Sequence, residues 1–169
     1  YEWHEKNEQW VTRGLAACER ALELEPQLPE GLVARAQIAY TRKEYDQAIH
    51  FARQALERRP DCPGAYNVLA RSYFASDRPE EGAATAERAI EANGDDYNMY
   101  IPLTNSLERL ERMEAARDLR RRMMRVLQHQ LELVPEDVRA RVLLSSHHAA
   151  FGDESAATRE LQIATALRP

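Results

Sequence analysis

Two cysteines in 169 residues cannot supply a disulfide framework, and unpaired thiols at Cys18 and Cys62 fit a reducing compartment. No stretch approaches the roughly eighteen consecutive apolar residues that a membrane-crossing helix needs. The opening residues include Glu2, His4, Glu5 and Lys6, so no signal peptide is visible there, and a cytoplasmic location is expected. Glycine is sparse, at 14, 31, 64, 82, 94 and 152, and none of these positions forms a phosphate-cradling loop. His-Glu-x-x-His pairs, paired cysteines and carboxylates at ligand spacing are all lacking, so neither a metal nor a cofactor is expected. Ser145, Ser146 and His147 are neighbours along one helix and face different directions, which rules them out as a nucleophile and its base. The sequence therefore reads as non-catalytic. A net charge of −5 argues against nucleic acid as the main partner.

What the chain does have is a period. Pro26 and Pro60 are 34 apart, as are Pro135 and Pro169, and Gly94 stands 34 after Pro60. A repeat of this length marks helix pairs that cannot bury their apolar faces alone and therefore stack. A composition of 44% hydrophobic and 30% charged residues suits amphipathic helices.

The same shift aligns small residues. One set is Ala36, Ala70, Thr104 and Ser145; a second is Gly14, Ala48, Gly82, Ala116 and Ala157; a third is Ala21, Ala55, Ala89 and Ala164. Two helices approach closely only where side chains are small, so these positions mark the contact line of each hairpin. Leu32, Tyr66 and Tyr100, with Tyr73 and Leu107, fill the complementary bulky places.

This pattern, with the helix-turn-helix text Tyr40-Thr41-Arg42-Lys43-Glu44-Tyr45-Asp46-Gln47-Ala48, resembles the tetratricopeptide repeat (TPR) over essentially the whole chain. The resemblance implies an all-α fold, a right-handed TPR solenoid of stacked antiparallel helix hairpins. Its units are a partial repeat at 1–28, repeats at 29–62 and 63–96, an elongated one at 97–137, and a last one at 138–169. Arg35, Ala39 and His148 depart from the residues usual at their places, and His148 is expected to pack in the core.

Gly94 to Pro135 spans 41 residues, seven beyond the period. Seven residues are close to two helical turns, so the helix face is preserved. The Ala115–Val134 stretch, free of glycine and proline, is expected to form one long second helix, with Ala116, Leu119, Met123, Val126 and Leu133 along one side. Pro102 places the start of the preceding helix near Met99, with Asn98 as its cap. Tyr1-Glu2-Trp3-His4 reads as the remnant of a first helix whose partner runs from Trp10 to Leu24. The text there, at Ala89–Tyr97 and at Leu133–Asp137 resembles the TPR regions of large bacterial signalling proteins that carry a serine/threonine kinase or nucleotide cyclase domain.

In the TPR family, ligands lie along the concave surface of the first helices. Carried over by unit position, that groove would present Gln37, Tyr40, Asn67, Arg71, Phe74, Asn98, Asn105, Glu108, Arg109, Arg139 and Ser146. Amide side chains can bond both backbone donors and acceptors of an extended peptide, and an arginine can hold a carboxylate. Arg71 and Asn105 are one full period apart. The expected partner is thus a protein or peptide. The chaperone-binding subclass, which grips a terminal carboxylate with lysine, arginine and asparagine across three first helices, is disfavoured, because the matching places of the second unit hold Val33, Ala34 and Gln37. Arg117, Arg121 and Arg125 form a basic stripe on the long helix, read as a solvated face balanced by Glu108, Glu111 and Glu114, with an acidic partner as the alternative. Two further roles stay open: intramolecular control of an attached kinase or cyclase, and self-association through solenoid ends.

Overall fold

A 34-residue rhythm is written into the backbone as well as the side chains. Lys43, Asp77 and Glu111 each adopt positive φ, at 63°, 60° and 57°, and Gly152 follows at 82°. These are the left-handed turn residues between the first and second helix of successive units, spaced by 34, 34 and then 41 as the sequence repeat demands. After three of them an amide reaches back five residues to close the preceding helix: Glu44 to Ala39, Arg78 to Tyr73 and Asp153 to His148, each at 2.9 Å.

The computed structural model describes residues 2–26 and 28–167, with only the backbone described for 2–8 and 11. Among them run α1 (Glu2–Leu24), α2 (Pro29–Thr41), α3 (Tyr45–Arg58), α4 (Ala65–Ala75), α5 (Pro79–Ala84), α6 (Ala86–Asn93), α7 (Tyr97–Arg109), α8 (Met113–Leu133), α9 (Val138–Ala150) and α10 (Glu154–Ala166). No strand is found among the described residues. The chain divides into two compact units, Tyr1–Glu111 and Arg112–Pro169, and the division falls inside the repeat expected at 97–137.

In the first unit α2 packs on α3, α3 on α4, and α4 on both α5 and α7, while α1 lies against α2. One core cluster joins Ala36, Ile49, Ala52, Val68, Leu69 and Tyr73; a second joins Leu32, Val33, Ala55, Cys62 and Ala65. The small-residue places behave as a contact line should. Ala36, Ala48, Ala55, Ala70 and Ala89 are wholly buried. In the second unit α9 packs on α8 and on α10. There Ser145 donates to the Ala157 carbonyl at 2.8 Å, a hydrogen bond between two small-residue places that tethers α9 to α10.

The elongated helix is present: α8 is continuous over 21 residues, against 14 for α3. Its buried stripe is Ala116, Leu119, Met123 and Leu127, so Leu127 replaces Val126, and Leu133 is 67% exposed. Spacings of three, four and four keep to the 3.6-residue turn, which the expected step from Met123 to Val126 does not sustain.

Four local features differ from the sequence reading. Glu2–Leu24 is one helix and shows no break after His4, because Glu5 to Gln9 contains no glycine or proline to end it; Tyr1 lies outside the described residues. The cap of α7 is Asp96 rather than Asn98, its carboxylate accepting from the Asn98 amide at 3.0 Å; the helix starts at Tyr97, within two residues of the expected Met99, and Pro102 stands at its sixth position instead of its fourth. His147 rather than His148 enters the core, with Nε2 3.0 Å from the Met123 sulfur. The second helix of the 63–96 repeat is broken into α5 and α6 at Thr85. The Thr85 hydroxyl donates to the Gly82 carbonyl at 2.7 Å and the Thr85 amide donates to the same oxygen at 3.2 Å, a tightened turn in place of a continuing α-helical one.

Candidate peptide-binding face

Helices α2, α4 and α7 are the first helices of three successive units, and α4 packs against the other two. Tyr40 of α2 is half-buried against the core cluster of Ala36, Ile49 and Tyr73, and its ring lies 5.7 Å from that of Tyr45. Over the Tyr40 ring sits the guanidinium of Arg71 from α4, 4.2 Å from the ring centroid. The stack joins two units, leaves Arg71 exposed, and holds its donors in a defined place. The spacing contained this signal: Arg71 is one period after Gln37, which lies one helical turn before Tyr40.

Asn67 stands one turn before Arg71 on the same side of α4, half-buried. Asn105, on α7 and one period after Arg71, is half-buried too. Neither amide side chain has a hydrogen-bond partner among the described residues. Gln37 is exposed and Phe74 half-buried.

Other expected groove residues are committed elsewhere. The Asn98 side chain donates to Asp96 at 3.0 Å and belongs to the cap of α7. Arg109 forms an ion pair with Asp77 of the α4–α5 turn at 2.7 Å. Glu108 is half-buried. Arg139 and Ser146 are exposed on α9 in the second unit, where the Ser146 hydroxyl donates to the Val142 carbonyl of its own helix at 3.0 Å.

On α8, Arg117 and Arg121 pair with Glu114 and Asp118, at 3.5 and 2.6 Å. Glu114 was expected to balance the stripe; Asp118 was not. Both pairs are exposed links three residues apart on one helix, the arrangement of a solvated charged face. The Arg121 guanidinium also lies 5.9 Å from the Phe151 ring. Cys62 is buried in the turn after α3, where it accepts from Arg59 Nη2 at 3.3 Å, and burial pushes its thiol pKa up. Among the described residues no three His, Cys, Asp or Glu side chains converge to hold a metal ion, and no helix is long and apolar enough to cross a membrane.

Antiparallel hairpins repeating every 34 residues, closed by a left-handed turn residue and packed through small side chains, define the tetratricopeptide-repeat fold. The chain has that fold. The family described as Anaphase-promoting complex, cyclosome, subunit 3 matches residues 14–89, a little under half of the chain. Protein STIP1 homolog of Dictyostelium discoideum is 33% identical over 78 residues, which cover 46% of this chain and 14% of that protein. A thermophilic TPR protein of Thermus thermophilus superposes with a TM-score of 0.67 at 19% identity, covering 92% of this chain and 81% of its own. MamA superposes at 0.60 with 15% identity, over 97% and 92% of the two chains. YrrB, described as a TPR protein with an unusual peptide-binding site, superposes at 0.57 with 17% identity over 97% of this chain and 81% of its own.

Proposed function

We propose that this chain is a non-catalytic scaffold that binds a protein partner through an extended, acidic peptide segment laid across α2, α4 and α7. The observation that carries the reading is the Arg71–Tyr40 stack: an exposed guanidinium is held in place by an aromatic ring of the neighbouring unit. Beside it, the unpaired amides of Asn67 and Asn105 match what a peptide backbone requires, and Arg71 matches a carboxylate. The peptide-binding site named for YrrB supports the same use of the fold. The resemblance to bacterial signalling proteins extends the proposal to a larger protein, in which the bound segment would belong to an attached kinase or cyclase. A cytoplasmic setting goes with this reading, supported by free thiols at Cys18 and Cys62.

Selection of displayed random peptides on the whole chain tests it. Selected sequences should be acidic, and Arg71→Ala should weaken them by about 1–3 kcal/mol, the scale of one charge-assisted hydrogen bond. The melting temperature should change little, since an exposed cation–π contact contributes only about 0.5–1 kcal/mol. Peptides indifferent to Arg71 and Asn105 but lost on changing Arg121 and Arg125 would move the binding face to α8 and overturn the proposal.

A further inference from the structure

Helix α4 is open along one line only. From Ala65 to Phe74 every residue is buried except Asn67, Arg71 and Phe74, which fall at spacings of four and three. That spacing is one face of a helix, so an amide, a guanidinium and a phenyl ring stand in a row. The matching places on α7, one period on, are Ile101, Asn105 and Glu108, each half-buried.

The ring is the odd member of the row. Tyr40, one period before Phe74, has its face taken by the Arg71 guanidinium, 4.2 Å from its centroid. In the register of the repeat Asn105 stands to Phe74 as Arg71 stands to Tyr40, and it brings no cation. No ring or cation lies over Phe74 among the described residues. A half-open phenyl ring on a helix otherwise buried gains by being covered. Charge decides by what. A base over it would meet Arg71, three residues before on the same face. An acid would meet Glu108 in the matching place of the next first helix, and the negative face of the ring itself. An uncharged, apolar group fits.

We propose, building on the reading of this face as a peptide site, that Phe74 determines specificity: it selects a bulky apolar side chain two positions from the carboxylate that Arg71 holds. Only alternate side chains of an extended segment point to one side, about 6.6–6.8 Å apart. The Arg71 guanidinium leans toward α2 over Tyr40, which leaves the Phe74 ring to the next side chain on the α7 side.

Displayed random peptides selected on the full chain, on Arg71→Gln and on Phe74→Ala test this. On the unsubstituted chain, selected sequences should pair an acid with a leucine, isoleucine, methionine or phenylalanine two positions away. Phe74→Ala should keep the acid preference and lose the apolar one, and Arg71→Gln should do the reverse. A synthetic peptide of the selected consensus, added to the isotope-labelled full chain, should show nuclear magnetic resonance contacts from its apolar side chain to the Phe74 ring. Changing that side chain to alanine should weaken the peptide by about ten-fold. Neither of these two measurements needs a variant to fold, and Phe74→Leu, which stays apolar, should retain most of the affinity. Four results would each overturn the role of Phe74 and leave Arg71 standing: an acid with no apolar preference, a basic preference in its place, an apolar preference that survives in folded Phe74→Ala, or no contact to the ring. No acid preference on the unsubstituted chain would overturn the carboxylate site at Arg71, and the spacing with it.

Discussion

Gly82 makes the sharpest energetic test of the packing. It lies in α5, which packs against α7, and a methyl group added there would meet the Ser106 hydroxyl oxygen at 2.5 Å and its Cβ at 3.2 Å. Gly82→Ala in an isolated helix would stabilise by about 1 kcal/mol through helix propensity. Here two costs oppose that gain. Overpacking a well-filled contact costs about 1–3 kcal/mol. Ser106 is fully buried and donates to the Pro102 carbonyl at 2.9 Å, so turning its hydroxyl aside sacrifices a hydrogen bond of about 1 kcal/mol. The expected net effect is a destabilisation of about 1–3 kcal/mol, a fall in melting temperature of about 3–9 °C for a chain of this size. Ser106→Ala removes the 2.5 Å contact and keeps the helical bond to Pro102, so adding it to Gly82→Ala should restore about 1 kcal/mol or more. Urea unfolding of the two single variants and the double closes the cycle. A stabilised Gly82→Ala, or single effects that add within about 0.5 kcal/mol, would refute the claim that this glycine exists for close approach to α7.

Two further outcomes can be checked by the same unfolding measurements. Lys43 holds a left-handed conformation that costs a non-glycine residue about 1 kcal/mol, so Lys43→Gly should stabilise by up to about that amount. Lys43→Val should destabilise, because a β-branched side chain fits that conformation worst. On α8, Leu127→Ala should cost about 2–5 kcal/mol, since Leu127 is fully buried, whereas Leu133→Ala should be nearly silent.

Much of the architecture was legible because stacking imposes a period, and a period survives in any residue that must be small, bulky or turn-forming. The burial of Ala48, Ala55, Ala70 and Ala89 and the continuous α8 both follow from it. Features decided by single atoms were not legible. Asp96 and Asn98 are both competent caps, and only the geometry of the entering loop chooses between them. At Thr85 hydroxyl and amide both bond the Gly82 carbonyl, a local geometry that leaves no trace in a spacing pattern. His147 and His148 are adjacent, and a rotation of about 100° per residue separates core from surface. Of the candidate face, the alignment of Gln37 with Arg71 placed the arginine near Tyr40, but the cap role of Asn98 and the Arg109–Asp77 pair depend on which side chains the turns bring within reach.

The interruption at Thr85 also sets a rate. A helix of six residues and one of eight are each too short to persist by their own hydrogen bonds, so both exist only while they stay docked. In α6 the buried anchors are two small ones, Ala86 and Ala89, supported by a bond from Asn93 to the Asp61 carbonyl at 3.0 Å. Opening this segment exposes little apolar surface, and its amides should exchange with solvent well before those of α4 or α7. The α5–α6 segment can therefore yield and re-form while the rest of the unit remains folded.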